Sequence, residues 1–456
     1  MNIDSSSSSS SEDEIYDYML MDFFEESREI QAVEDAVRYI VSSTVEGSGT
    51  EGSRPRKKRT YISRDRESAN DRLIADYFSN QPIYDERQFR RRFRMRKHVF
   101  IRIVDTLSLH YRFFQQHSDA CMRQGATALQ KCTAAIRMLA YGCAADQIDE
   151  YLKLGATTSK ECLTHFVDGI IAQFSAEYLR KPNNEDLQRL LREGEDRGFP
   201  GMIGSIDCMH WEWKNCPAGW KGMYQGRSRT ATVILEAVAS RDLWIWHAFF
   251  GTPGSCNDIN VLQRSPVFDD LLNGRAPQVQ FDVNGNTYNK GYYLTDGIYP
   301  KWATFIDAIT APQTHKQRLF TQRQESARKD VERAFGVLQA RFAIIRKPAL
   351  AWSVPMLWKI MMTCIIIHNM IVEDERDTYV NYKDPQEFAQ EQPENVAGSS
   401  SPNGTKFYVT PGRYDDRNFT TLLATREEIR DRHIHMSLKS DLVEHMWEKF
   451  GNSYAE

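Results

Sequence analysis

"GSIDCMHWEW", Gly204 to Trp213, reads as a buried strand with one residue out of keeping. Ile206, Cys208, Met209, Trp211 and Trp213 are apolar, and Asp207 sits among them. A carboxylate in such a place is costly unless it is paired or binds a cation. The fold is therefore read outward from Asp207, by asking which other segments bring it a partner.

Three further carboxylates share its oddity. Asp258 lies in "GTPGSCNDINVL", just after a strand-like run. Asp296 lies in "YYLTDGIYP", at the end of an apolar strand and before a glycine turn. Glu332 lies in "ARKDVERAFGVLQARF", bordering a helical stripe of Val331, Ala334, Phe335, Leu338 and Phe342, with Arg328 and Lys329 one turn before it. Acids at strand ends and on one packed helix can converge on a point. Metal-assisted phosphoryl transfer needs such convergence: hard divalent ions prefer oxygen ligands, and two of them clamp the attacking and leaving oxygens of an in-line displacement. Taken singly, each acid fits a surface position or a helix cap better than a functional role.

Around these acids the texture is α/β. "GMIGSIDCMHWEW", "TATVILEAVAS", "LWIWHAFFG" and "GYYLTDG" are short β-branched or aromatic runs, and helical patterns follow at 325–343 and 356–372. That order predicts a layered domain over 200–375. Residues 61–199 read as helical. "FRRRFRMRKHVFIRIVDTL" sets Phe89, Phe93, Val99, Phe100, Ile103 and Val104 at helical spacing among arginines. A helix is predicted to end at Gly142 and a short one at Gly155, and Thr158-x-x-Glu161 has the form of a capping box opening a third. Three helices with such turns fit a helix-turn-helix unit, and a plain bundle fits equally. Residues 376–456 begin as a polar linker, "NVAGSSSPNG", and end in an amphipathic helix from Arg426 to Phe450.

The 456 residues carry a net charge of −4 that hides an asymmetry. Residues 1–50 hold twelve acids and two arginines, whereas 54–102 hold sixteen Lys or Arg and six acids. The Ser-rich acidic stretch 1–60 is expected to be disordered. "RPRKKR", Arg54 to Arg59, suits a nuclear import signal, a phosphate-binding patch or a solvated charge run. Eight cysteines without a C-x-x-C pair read as reduced thiols, with neither a disulfide framework nor a zinc site. The run Met356 to Val372 contains Lys359, His368 and Asn369, so it reads as a buried helix before a membrane span. "CPAGWKGMYQGRSRTAT" carries Lys221, Arg227 and Arg229 but no Walker pattern. A soluble intracellular protein is expected.

"IGSIDCMHWEW", "GTPGSCNDINVL", "YYLTDGIYP" and "DVERAFGVLQARFAIIRKP" stand here in the order and wording of the Harbinger (PIF) transposases. The chain resembles that family's plant transposon proteins and Harbinger-derived nucleases over roughly 200–372, and "FRRRFRMRKHVF" with "LKLGATTSKECLTHF" extends the likeness upstream. The resemblance implies an RNase H-like mixed sheet with flanking helices, preceded by an all-α, helix-turn-helix-like DNA-binding region. It implies a DDE triad at Asp207, Asp296 and Glu332, with Asp258 joining or supporting the metal shell and Mg²⁺ or Mn²⁺ as cofactor. Arg328 falls where related transposases keep a basic residue, and Gln339 stands where many relatives carry Lys. The implied function is metal-dependent DNA cleavage, by a transposase or a domesticated nuclease, in the nucleus. Arg90, Arg91, Arg92, Arg94, Arg96 and Lys97 are expected to contact DNA, with a separate Myb-like protein as partner and a homo-oligomer left open. The rival reading is a catalytically silent DNA-binding adaptor that has kept the fold.

Overall fold

The computed structural model describes residues 64–226, 229–268, 278–376, 408–410 and 427–451. The acidic tail, the basic cluster Arg54 to Arg59, Arg227 and the linker "NVAGSSSPNG" lie outside the described residues.

The upstream part is helical, as its spacing predicts. It contains α1 (Arg66–Leu73), α2 (Glu86–Phe93), α3 (Lys97–His110), α4 (Ala128–Tyr141), α5 (Asp146–Leu152), α6 (Ala156–Tyr178) and α7 (Asn184–Asp196). Side-chain caps set several starts: Asp85 with Gln88 for α2, Thr127 with Gln130 for α4, and Asn183 with Asp186 for α7. Gly142 ends α4 in the left-handed region, at φ 52°. Two local expectations are corrected. The short helix stops at Lys153, itself left-handed at φ 54°, before Gly155 is reached. Gly155 is instead the N-cap of α6, so Thr158 and Glu161 lie inside that helix and form no capping box.

The central sheet is mixed and five-stranded. Strands β1 (Met202–Glu212), β2 (Thr232–Ala239) and β3 (Ile245–Pro253) form an antiparallel meander. A small second sheet then begins with β4 (Gln278–Val283) and β5 (Asn286–Tyr288). The chain returns to pair β6 (Tyr292–Leu294) parallel to β1, and β7 (Phe305–Ile306) parallel to β6. The order is β3-β2-β1-β6-β7, while β8 (Tyr408–Thr410) completes the small sheet as β5-β4-β8. This part also contains the helices α8 (Asp258–Leu262), α9 (His315–Arg341), α10 (Val354–Asp374) and α11 (Arg432–Phe450), with short helical turns at Lys221–Tyr224 and Ala343–Arg346. The sequence pattern underestimates α9, which begins ten residues upstream at a Thr314–Gln317 capping box.

One hydrophobic cluster joins the helical segment to the sheet. It runs from Leu73 and Phe93 through Phe166 to Trp211, Trp244, Phe335 and Val372. Helix α10 is long and apolar enough to cross a membrane, but 78% of its apolar window is buried within the protein. Two of its polar residues, His368 and Asn369, fasten it to the sheet and to α6. Asn369 accepts from the Ile245 amide (3.0 Å) and donates to the carbonyls of Ile245 (2.8 Å) and Tyr178 (2.7 Å), tying β3 to α6. His368 Nδ1 stands 3.0 Å from Arg341 Nη1 and its Nε2 is 2.8 Å from the Leu243 carbonyl. A guanidinium can only donate, so Nδ1 accepts and Nε2–H donates to Leu243. Burial pushes the imidazole pKa well below its ordinary value, and the Arg341 charge pushes the same way, which keeps it neutral in that role.

These bonds place a specific load on Asn369. Replacing it by Leu leaves the Ile245 amide and two carbonyls buried without their partner. We expect a loss of about 3 kcal/mol in urea unfolding, a buried unmet polar group costing ~1–3 kcal/mol. A variant as stable as wild type shows that the helix–strand junction rests on packing alone.

Candidate active site

The alternation of β1 decides where Asp207 points. Residues 205, 207, 209 and 211 share one face of the strand. Ser205 Oγ donates to the Ala327 carbonyl (3.2 Å), and the Gln339 amide reaches Met209 Sδ (2.9 Å), so that face lies along α9. Asp207, between those two contacts, meets Arg328: Nη1 is 3.4 Å from Asp207 Oδ2 and 2.8 Å from Glu332 Oε1. The two carboxylates therefore share one guanidinium. Glu332 keeps 43% of its side chain exposed, so this end of the helix opens to solvent.

Asp296 arrives by strand register. Ser205 is paired with Leu294 in the parallel β1–β6 ladder, and Asp207 and Asp296 each lie two residues further along. Buried Gln324 of α9 donates to the carbonyls of Thr295 and Ile306 (both 2.9 Å), which holds the end of β6 against the helix. Asp296 Oδ1 accepts the Ile298 amide proton, closing the Gly297 turn. Asp258 begins the short helix α8 behind the N-cap Asn257.

The electrostatics tie these groups together. Burial pushes Asp207 up to about 6, and the charges of Glu332 and Asp258 push it the same way. The Cys208 amide, donating at 2.8 Å, and the Arg328 guanidinium pull back without prevailing. Burial also raises Asp258, with Asp296 and Glu236 adding to it, while the Cys208 thiol and His210 oppose. The structure thus groups Asp207 with Glu332 through Arg328, and Asp258 with Asp296, with Asp258 in electrostatic range of Asp207.

Among the described residues, no three His, Cys, Asp or Glu side chains close around one point as a formed metal site does. The donor chemistry nevertheless suits a hard divalent cation: carboxylate oxygens only, two of them raised above their ordinary pKa by burial and neighbouring acids. Residues Asp207, Asp258, Asp296 and Glu332 are those that would hold it.

One acid escaped the sequence reading. Glu236 stands in the middle of "TVILEAVA", directly across from Cys208, and is fully buried. Neither of its carboxylate oxygens has a hydrogen-bond partner, and His247 Nε2, 3.4 Å from Oε2, is its paired base. The signal was the one that exposed Asp207, an acid inside an apolar strand.

The basic residues divide. Arg90 forms a two-pronged pair with buried Glu375 (2.6 and 2.7 Å), and Arg96 pairs with Asp374 (3.6 Å). Arg92 donates to Tyr77 Oη (2.6 Å) and stacks 3.7 Å over the Tyr84 ring, while Lys97 lies 5.7 Å over Phe78. Arg91 and Arg94 line a cavity with Tyr141.

A pH prediction follows from Asp207. Its folded pKa of about 6 stands above the ordinary 3.8, so the folded state holds the proton more tightly than the unfolded chain. For a raised acid, stability is lost as pH rises from about 4 to about 6 and does not return above. Without divalent cations, Asp207→Asn should be more stable than wild type at pH 7.5 by up to about 3 kcal/mol, and the gap should close near pH 4. Matched unfolding curves at both pH values check this, and an equal stability at pH 7.5 rules the strain out.

The comparisons with known proteins agree with the sequence motifs. The plant transposon protein family matches residues 176–379, the span from the end of α6 past α10. A domain of unknown function matches residues 70–108. "Protein ALP1-like" of Arabidopsis thaliana is 24% identical over 252 residues, 54% of this chain and 61% of that relative. "Putative nuclease HARBI1" of Homo sapiens and of Bos taurus is 21% identical over 250 residues, 54% of this chain and 68% of each relative. The chain thus spans about three fifths of the Arabidopsis relative. No solved structure matches. Residues 176–379 thus match the plant transposon protein family, and the similar ALP1-like and HARBI1 proteins support the Harbinger transposase-derived group that the four acidic motifs resemble.

Proposed function

We propose that the chain is a metal-dependent DNA endonuclease of the Harbinger type, with an RNase H-like core and a DDE site. The observation that carries the reading is the gathering of acids around the central strand β1, with Asp207 and Asp258 raised by burial and Asp207 held at about 6. Two divalent cations, when bound, supply charge neutralisation at the phosphate and a more acidic water. Asp207, Asp296 and Glu332 would hold them, and Asp258 would support the set from α8. Arg328, which bridges Asp207 and Glu332, supplies positive charge beside the place a substrate phosphate would take. The relatives named as nucleases support the reaction class.

DNA is the proposed substrate, a Myb-like protein the proposed specificity partner, and the nucleus the proposed compartment, through Arg54 to Arg59. The helical segment α4–α6 is proposed to meet DNA as a helix-turn-helix, and self-association to pair two cleavage sites. The silent-adaptor reading draws on one observation, the guanidinium bridging Asp207 and Glu332, which can replace a cation permanently.

Cleavage of terminal-repeat DNA by the full chain, with and without Mn²⁺ and the Myb-like partner, decides between them. Wild type should cut only with Mn²⁺. Asp207→Asn and Glu332→Gln should each lower the rate by at least ~10²-fold while still folding, since each removes a group acting on the transition state. Undiminished cutting by Asp207→Asn contradicts the assignment, and folded wild type that never cuts favours the adaptor.

A further inference from the structure

A cavity of about 430 Å³ opens beside α2, lined by Gln88, Arg91, Arg92, Arg94 and Tyr141. Its volume is that of a small-ligand pocket. Three of its five walls are guanidinium groups, and two more bear on it. Arg346 and Arg137 are among the charges that, after burial, hold the Arg94 pKa below its ordinary value, together with Arg91. Lys347 Nζ donates to the carbonyls of Tyr141 (2.8 Å) and Gly142 (3.0 Å), which sets the Arg346–Lys347 turn against the tyrosine wall.

Arg92, Arg94 and Arg137 are held in place before any ligand arrives. Arg92 is stacked on Tyr84 and bonded to Tyr77 Oη, which also accepts from Arg137 Nη2 (3.3 Å). Arg94 lies 5.3 Å over the Tyr141 ring. Asp76, the acid beneath these rings, accepts from Tyr151 (2.5 Å) and is itself buried. Arg94 also caps α2 at φ 67°, a left-handed position where glycine is usual. An arginine kept there against backbone preference is explained by its side chain.

We propose that this cavity binds a phosphate group of a nucleic-acid backbone. Planar, preorganised guanidiniums match phosphate oxygens two at a time, and an anion relieves their mutual repulsion. Tyr141 supplies an apolar wall for the attached sugar. The position suits a strand that also reaches the acids. Trp211 Nε1 donates to the Lys347 carbonyl (2.9 Å). Asp207 lies four residues back along the same strand, about 13 Å at ~3.3 Å per residue. One strand of DNA advances about 3.4 Å per phosphate, so about four phosphates span that length of β1, with the reach from Trp211 through Lys347 to the cavity in addition. The site stands whether or not the acids cleave DNA.

The test measures binding only. Full-length wild type, the double variant Arg91→Gln/Arg346→Gln and the control Arg192→Gln, on α7 outside the proposed DNA-contacting helices, are titrated against a fluorescein-labelled DNA duplex over a salt series, after thermal melts establish folding. Arg91, Arg346 and Arg192 are exposed, so their substitution leaves the core intact. Loss of one neutralised phosphate lowers the slope of log affinity against log salt by about 0.9. We expect that drop in the double variant with about tenfold weaker binding at low salt, and a smaller change in the control. A double variant that loses no more than the control overturns the site. Inorganic phosphate at constant ionic strength then distinguishes the sources. Displacement of DNA from wild type assigns a terminal phosphate, and retention, with the slope drop intact, an internal phosphodiester.

Discussion

Several carboxylates gathered around the central strand β1, two of them bridged by the Arg328 guanidinium, form the constraint around which the structure is arranged. Asp207 is raised to about 6 because burial and its acidic neighbours outweigh Arg328. A fold that selected only for stability would replace it by an apolar residue, as its neighbours Ile206 and Met209 illustrate. Instead, the surrounding contacts keep the acids where they are. Ser205 fixes β1 to α9, and Gln324 fixes the end of β6 to the same helix. Arg341, at the far end of α9, is locked through His368 to Leu243 in the turn between β2 and β3. Strand, helix and turn are thus joined by buried polar contacts on both sides of the acidic cluster. Such contacts specify position, because a shifted register leaves each of them unmet.

Much of this was legible in the sequence because period and chemistry agreed. β1, β2, β3 and β6 stood out as apolar runs bounded by turns, Gly142 closed α4, and the acids were visible as charges within apolar contexts. What stayed hidden lacked one of those signals. β7 is two residues long and has no period. Helix α9 opens with polar residues, "HKQRLFTQRQES", whose partners are contributed by α11 and the small sheet, so its stripe does not show until Ala327. Asn284-Gly285, both at positive φ, was a readable hairpin signal between β4 and β5. Glu236 was missed despite breaking an apolar strand as Asp207 does. The strand around Asp207 carried a family likeness, and that around Glu236 did not.

The basic segment shows why charge density alone is a weak guide to ligands. Six cations within eight positions suggested one DNA-facing surface. Helical geometry disperses them. Arg90 and Arg96 turn to Glu375 and Asp374 at the end of α10, where they join the segment to the core. Arg91, Arg92 and Arg94 turn to the tyrosine-lined cavity. Partner acids some 280 residues away in the chain cannot be seen in a local window. The same side-chain type therefore joins helices at one position and lines a cavity at the next, and only the fold separates them.

The account rests on the claim that the acidic cluster is built for cations. Electron paramagnetic resonance of Mn²⁺ titrated into the purified full chain at neutral pH tests it without DNA or cleavage. The account predicts saturable loss of the free-ion signal, one or two Mn²⁺ per chain, abolished or strongly weakened in Asp207→Asn while that variant stays folded. Mn²⁺ binding that is absent in wild type, or unchanged in Asp207→Asn, contradicts it.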